Sequence, residues 1–223
     1  MNAVHYFDSI SITPPYEQIY RRLGFRKGIT GLSPREKTET ERSIDTALSL
    51  IRLQGAARRL PIRKEGDAHI ILPDGVTLDS RQLSKFLGDC DEILLMGATA
   101  GPEIMQAIQT DAAGRNVTRG VVLDAAASEI TDAALDWIAG YFDQILRRER
   151  KRLLHARYSA GYGDLLLENQ RTMHRLLTLE KIGVTITESC ILIPEKSVTA
   201  ITGIRQSSCT GSGKTQQVLS DVI

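Results

Sequence analysis

Two stretches of this chain combine residue types that could do chemistry. Near the C-terminus, GSGKT (211–215) joins glycines to a lysine and a hydroxyl, the ending of a phosphate-binding loop. Such a loop needs G-x-x-x-x-G-K-[ST] between a strand and a helix, and the position five before Gly213 is Ser208. Only eight residues follow Thr215. They make about two helical turns at ~3.6 residues per turn, too few to continue a nucleotide-binding sheet. The expectation is a polar tail over 205–223 with no nucleotide chemistry.

The second stretch is RYSAGYGD (157–164). Arg157 could hold a carboxylate through both arms of its guanidinium. Gly161 and Gly163 bracket Tyr162 and permit a backbone that a small ligand can approach closely. The Tyr162 ring offers its face to a cation or a flat base.

Other chemistries find little support. The histidines His5, His69, His155 and His174 show no metal-ligand spacing. Cys90, Cys190 and Cys209 are odd in number and far apart, which is neither a disulfide framework nor a paired metal motif. Cys190 reads as a lone buried thiol or, if its strand pairs with the tail, as a neighbour of Cys209. No serine or cysteine triad stands out, so no catalytic side chain and no metal ligand is nominated. With 28 basic and 27 acidic residues the net charge is +1, so no global field argues for nucleic acid or an anionic membrane. There is no apolar run of about 18 residues. The N-terminus, MNAVHYFDSIS, lacks the basic and apolar regions of a signal peptide. A cytoplasmic location is expected.

The elements that must position RYSAGYGD can be read from pattern. A short helix is expected in 12–25, with Pro15 near its start and Gly24 past its end. Ser33, Pro34 and Glu36 have capping-box spacing, and Ile44, Leu48, Ile51 and Leu53 predict a helix ending near Gly55. AHIIL (68–72) and EILLMGAT (92–99) read as strands, 79–90 and 101–112 as helices. In 116–152, Val122, Ala126, Ile130, Ala134, Trp137, Tyr141 and Ile145 recur at three or four residues, the buried stripe of one long alanine-rich helix. A helix over 168–179 and two strands over 183–204, broken at Pro194, complete the chain. Helices and strands mix without a βαβ repeat, which gives an α+β class.

Taken as a whole, RYSAGYGD followed by LLTLEKIGVTITESCILIPEKSVTAITG (176–203) resembles the activation domain of cobalamin-dependent methionine synthase. In that family an R-x-x-x-G-Y loop precedes a short helix, a strand ending in TES and a P-x-x-SV-[ST] strand. Arg157, Gly161, Tyr162, Thr187, Glu188, Ser189, Pro194, Ser197 and Val198 fall on the pattern. The resemblance implies one activation-like domain over 1–204, with a mixed, mainly antiparallel curved sheet flanked by helices. It implies that the loop binds S-adenosylmethionine through Arg157, Ala160, Gly161 and Tyr162, with Glu188 nearby. Asp132, on the long helix, would offset the ligand's positive charge.

The family's task is reductive reactivation of a corrinoid. The resemblance therefore implies a partner that carries cobalamin, either a methionine synthase core or another corrinoid protein. It also implies a flavodoxin- or ferredoxin-like electron donor. A chain of 223 residues leaves no room for the corrinoid module itself, so action in trans is expected. In the family, aromatic residues after the SV strand close on the ligand, whereas no Phe, Trp or Tyr follows Tyr162 here. A docking protein that keeps the fold without the ligand is the alternative.

Overall fold

A computed structural model describes residues 3–26, 28–114 and 116–207. GSGKT and Cys209 lie outside them. A five-stranded antiparallel sheet forms the middle of the molecule. Its strands are β1 (His5–Phe7), β2 (Gln54–Pro61), β6 (Glu92–Thr99), β7 (Lys151–Leu153) and β10 (Ser197–Gln206), in the order β1-β2-β6-β10-β7. The two pairs that flank β6 set the register. Ala57 lies opposite Met96 on one side, and Ala200 opposite Met96 on the other.

Both faces of this sheet are covered. On one lie α1 (Tyr16–Arg22), α2 (Pro34–Leu50), α4 (Pro102–Ala113) and the 32-residue α5 (Val117–Arg148). Leu94, Met96 and Ala200 from the sheet meet Ile44, Ile104, Ala126, Ile130 and Ile138 there, all essentially inaccessible to water. On the other face, Leu60, Ile93, Leu95 and Ile201 meet a small three-stranded sheet, β3 (Arg63–Glu65), β4 (His69–Ile71) and β5 (Thr77–Asp79). They also meet α3 (Arg81–Leu87) and α6 (Asn169–Leu177). Two-sided burial explains why EILLMGAT is a continuous apolar run rather than an alternating one. The architecture is the expected α+β one, with an antiparallel sheet, flanking helices and one long alanine-rich helix.

Local signals and tertiary packing each fix part of this. The capping box at the start of α2 is formed: Ser33 Oγ accepts from the Glu36 N–H at 3.3 Å, and Glu36 accepts from the Ser33 N–H at 2.8 Å. The helix does not reach Gly55, however. It stops at Leu50, and Ile51 is already extended. The following QGAARRLP is the inner strand β2, although alanine, arginine and glutamine favour helix. Packing overrides propensity here. A Cβ on Gly55 would lie 2.7 Å from Ile138 Cδ1, so only a small residue lets α5 press against the sheet.

Within the stripe read for α5, Trp137 and Ile145 are each 36% exposed rather than buried. Trp137 packs edge-on against Phe7 and stacks along Tyr141. The last segment holds three strands instead of two. β8 (Thr185–Ile186) and β9 (Leu192–Ile193) make a short hairpin, and the chain then passes a cis Ile193–Pro194 bond into β10. Among the described residues no helix is long and apolar enough to cross a membrane.

Candidate functional site

The stretch after β7 folds back along β10 and is stitched to it. Leu154 N–H donates to the Gly203 carbonyl at 2.9 Å. Tyr158 and Ile201 exchange both backbone bonds, at 2.8 and 2.7 Å. Ser159 Oγ donates to the Thr199 carbonyl at 2.8 Å. Beyond Ser159 the chain turns tightly. Tyr162 N–H reaches the Ser159 carbonyl at 3.2 Å, and Gly161 N–H reaches the Leu165 carbonyl at 2.8 Å. Gly161 (φ 86°) and Gly163 (φ 53°) take the left-handed backbone that the turn needs. A Cβ on Gly163 would also collide with Gln82 and with the Tyr158 hydroxyl.

The far side of the turn is anchored too. Asp164 receives the Arg81 N–H at 2.9 Å, the Gln82 N–H at 3.3 Å and the Ser80 hydroxyl, all at the start of α3. The Ser80 hydroxyl first, then the backbone donors, hold its carboxyl below the usual aspartate range. Leu165 is wholly buried in the second core. Asp164 therefore ties the loop to α3 rather than facing a ligand. Asp164→Ala removes these acceptors. It is expected to lower the unfolding midpoint slightly and to loosen the turn, seen as faster amide exchange at 159–165.

Between its two anchors the loop presents Arg157 to α5. The side chain is 21% exposed. Its Nη2 donates to Asp132 Oδ2 at 2.9 Å, and its Nη1 donates to Asp136. The sequence-predicted pair Arg157 and Asp132 thus meet. Asp136, one turn further along α5, was not anticipated. Its signal was the four-residue spacing from Asp132, which places both carboxylates on one face of a helix. The same face continues toward the helix start, where Lys196 Nζ lies 2.7 Å from Asp124 and 2.9 Å from Ser128 Oγ. Asp124, Ser128, Asp132 and Asp136 form a polar stripe with a basic residue over each half.

The remaining predicted residues divide. Tyr162 stands at the apex of the turn, 69% exposed, with its ring available to a neighbour. Ala160 is half-buried against the second core. Glu188 is not drawn to Arg157. It sits in the β8–β9 turn, where its backbone carbonyl accepts from Arg171 on α6. That turn explains TES as local architecture. Thr187 Oγ1 accepts the Ile191 N–H at 3.0 Å and lies 3.0 Å from Ser189 Oγ, closing the hairpin. Cys190 is a buried free thiol, as one of the two readings had it. Among the described residues no group of His, Cys, Asp and Glu could hold a metal ion. Two surface grooves, of about 820 and 690 Å³, flank Phe25 between α1, α2 and the start of α5. Neither is lined by a residue of the 157–164 turn, and neither includes Asp132 or Asp136.

Chemically, the loop and α5 offer a fork of fixed positive charge, two carboxylates beside it and an aromatic face. That set is complementary to a zwitterion carrying a further cation. It contains no pair poised for proton transfer.

No family model matches the chain, and no curated protein matches it in sequence. Among solved structures, it is similar to the crystal structure of the MetH reactivation domain bound to AdoHcy. The TM-score is 0.62 at 16% identity, over 97% of this chain and 82% of that one. The chain has the fold of that domain.

Proposed function

We propose that this chain, on the fold of the MetH reactivation domain, is a stand-alone activation module. It binds S-adenosylmethionine at the Arg157 turn and supports reductive methylation of the corrinoid of a partner methionine synthase or corrinoid methyltransferase. One observation carries the reading. A guanidinium on a loop stitched to β10 faces the carboxylates of α5, on a fold whose solved example holds an adenosyl amino acid.

When bound, S-adenosylmethionine supplies an electrophilic methyl group, for which a partner's cobalamin supplies the acceptor and a flavodoxin- or ferredoxin-like protein the electron. The chain's own residues bind and orient. Arg157 takes the ligand's carboxylate through a charge-assisted hydrogen bond. Asp132 offsets the ammonium and sulfonium charges. Tyr162 lends its ring face to the sulfonium. Gly161 N–H is already committed to Leu165, which leaves the Ala160 peptide groups for the adenine. Rate enhancement then comes from holding the donor in place and excluding water, so no general acid or base is needed.

Calorimetric titration of the purified chain with S-adenosylmethionine and S-adenosylhomocysteine tests this. Saturable heat with both ligands is expected. Absence of heat at millimolar ligand removes the reading.

Two observations favour a second reading, a docking protein for a corrinoid partner that has lost the methyl donor. Both outer nitrogens of Arg157 are already occupied by aspartates, and no Phe, Trp or Tyr follows Tyr162. Co-purification with a corrinoid protein in the absence of any ligand heat would select it.

A further inference from the structure

Arg157 is paired with one carboxylate more than its charge requires. Its two outer nitrogens go to two aspartates that stand four residues apart on α5. At ~1.5 Å of rise per residue the two carboxylates start from points about 6 Å apart along one helix face. Their surroundings differ. Asp136 is 73% exposed at its side chain, against 56% for Asp132. The Arg157 side chain is 21% exposed, so it is the more enclosed member of the pair and Asp136 the more solvated one. An ion pair with so exposed a partner is weak, and a bound ligand can readily displace it.

We infer that Asp136 is a placeholder that makes this site selective for a free α-amino acid head group. The inference rests on the reading of the Arg157 turn as the site of an adenosyl amino acid. In the empty site Asp136 occupies the guanidinium position that a ligand carboxylate needs. An arriving carboxylate takes Nη1, and Asp136 turns to the ammonium on the adjacent carbon. Arg157 keeps Asp132 throughout. One ion pair is exchanged for two, and the exchange is favourable only when ammonium and carboxylate arrive on the same carbon. A ligand with the carboxylate alone displaces Asp136 and leaves it unpaired beside Asp132. Asp136 would thus reject deaminated or amine-blocked adenosyl compounds, a discrimination that Arg157 and Asp132 alone do not provide.

The test compares two probes, S-adenosylhomocysteine and its deaminated analogue, which keeps the carboxylate. Their affinities for the unaltered chain, Asp136→Asn and Asp136→Glu are measured by calorimetry. The unaltered chain is expected to prefer the amine-bearing probe. Asp136→Asn should cut that preference about tenfold, partly by tightening the deaminated probe, while Asp136→Glu restores it. A preference unchanged in Asp136→Asn, with both probes still bound, overturns the inference and leaves the functional reading standing. An unaltered chain that binds neither probe overturns both. Unfolding midpoints of the variants should match the parent, because Asp136 faces solvent.

Discussion

Arg157→Ala is expected to abolish measurable binding of S-adenosylhomocysteine while leaving the fold intact. The two effects separate because they draw on different terms. Truncating a charge-assisted contact to a ligand carboxylate costs about 2–4 kcal/mol of binding, a loss of 30-fold or more. The ion pairs lost within the empty protein involve carboxylates that are 56% and 73% exposed, so their share of stability is below about 1 kcal/mol. Calorimetry against a urea unfolding curve would read both. Arg157→Lys should recover little of the affinity, because an ammonium cannot reproduce the planar fork. Retention of binding within about threefold in Arg157→Ala would remove Arg157 from the site.

The second large effect is on stability, and it falls where β2, β6 and β7 meet the end of α5. Glu92, at the start of β6, accepts from Arg59 Nη2 at 2.9 Å and also from Lys151. Arg59 reaches on to Glu149 at 2.8 Å, just past the end of α5. The cluster therefore clamps β2, β6, β7 and the long helix together. Chiefly through Arg59, and against the penalty of burial, the Glu92 carboxyl is held down to about 2 from its usual 4.5. A lowered carboxylate pKa stabilises the fold above the unfolded value and is lost as pH falls through the folded one. Glu92 thus contributes about 3 kcal/mol near neutral pH, which disappears between about pH 5 and pH 2. Glu149 is lowered by the same guanidinium and adds in the same direction. Urea midpoints followed across that range should fall steeply for the parent chain. For Glu92→Gln they should start lower and run flatter. Parallel curves would mean that the cluster contributes nothing.

Legibility of the fold followed the range of the forces that set it. β6 could be read to its ends because a strand buried on both faces must be apolar throughout, and the acidic and glycine residues at its borders punctuate it. The start of α2 was legible because a capping box is local. β2 was not. Its alanines and arginines prefer helix, and only the pressure of Ile138 on Gly55 makes small residues in a strand intelligible.

The candidate site divides the same way. Arg157 and the glycine turn are a contiguous motif, and Asp132 came with the resemblance that the motif suggested. Spacing puts Asp136 on the helix face of Asp132, but its contact with Arg157 also needed the rotation of α5 relative to a loop 21 residues downstream. Asp164 serves as an acceptor for the start of a helix 83 residues upstream. Glu188 was named because TES follows the family pattern; locally, Thr187 and Ser189 of that triplet close a hairpin.

β10 is the last strand of the described residues, yet it sits inside the sheet, between β6 and β7. On the ribosome the chain emerges from its other end. Until Ser197–Gln206 clears the exit tunnel, β6 has no neighbour on one side and the Arg157 turn has nothing to lie against. The turn proposed to take the ligand is therefore completed only after these residues emerge. A chain cut short before Ser197 would leave β6 with an open, apolar edge for the cell's quality control to remove, rather than a weaker version of the same protein.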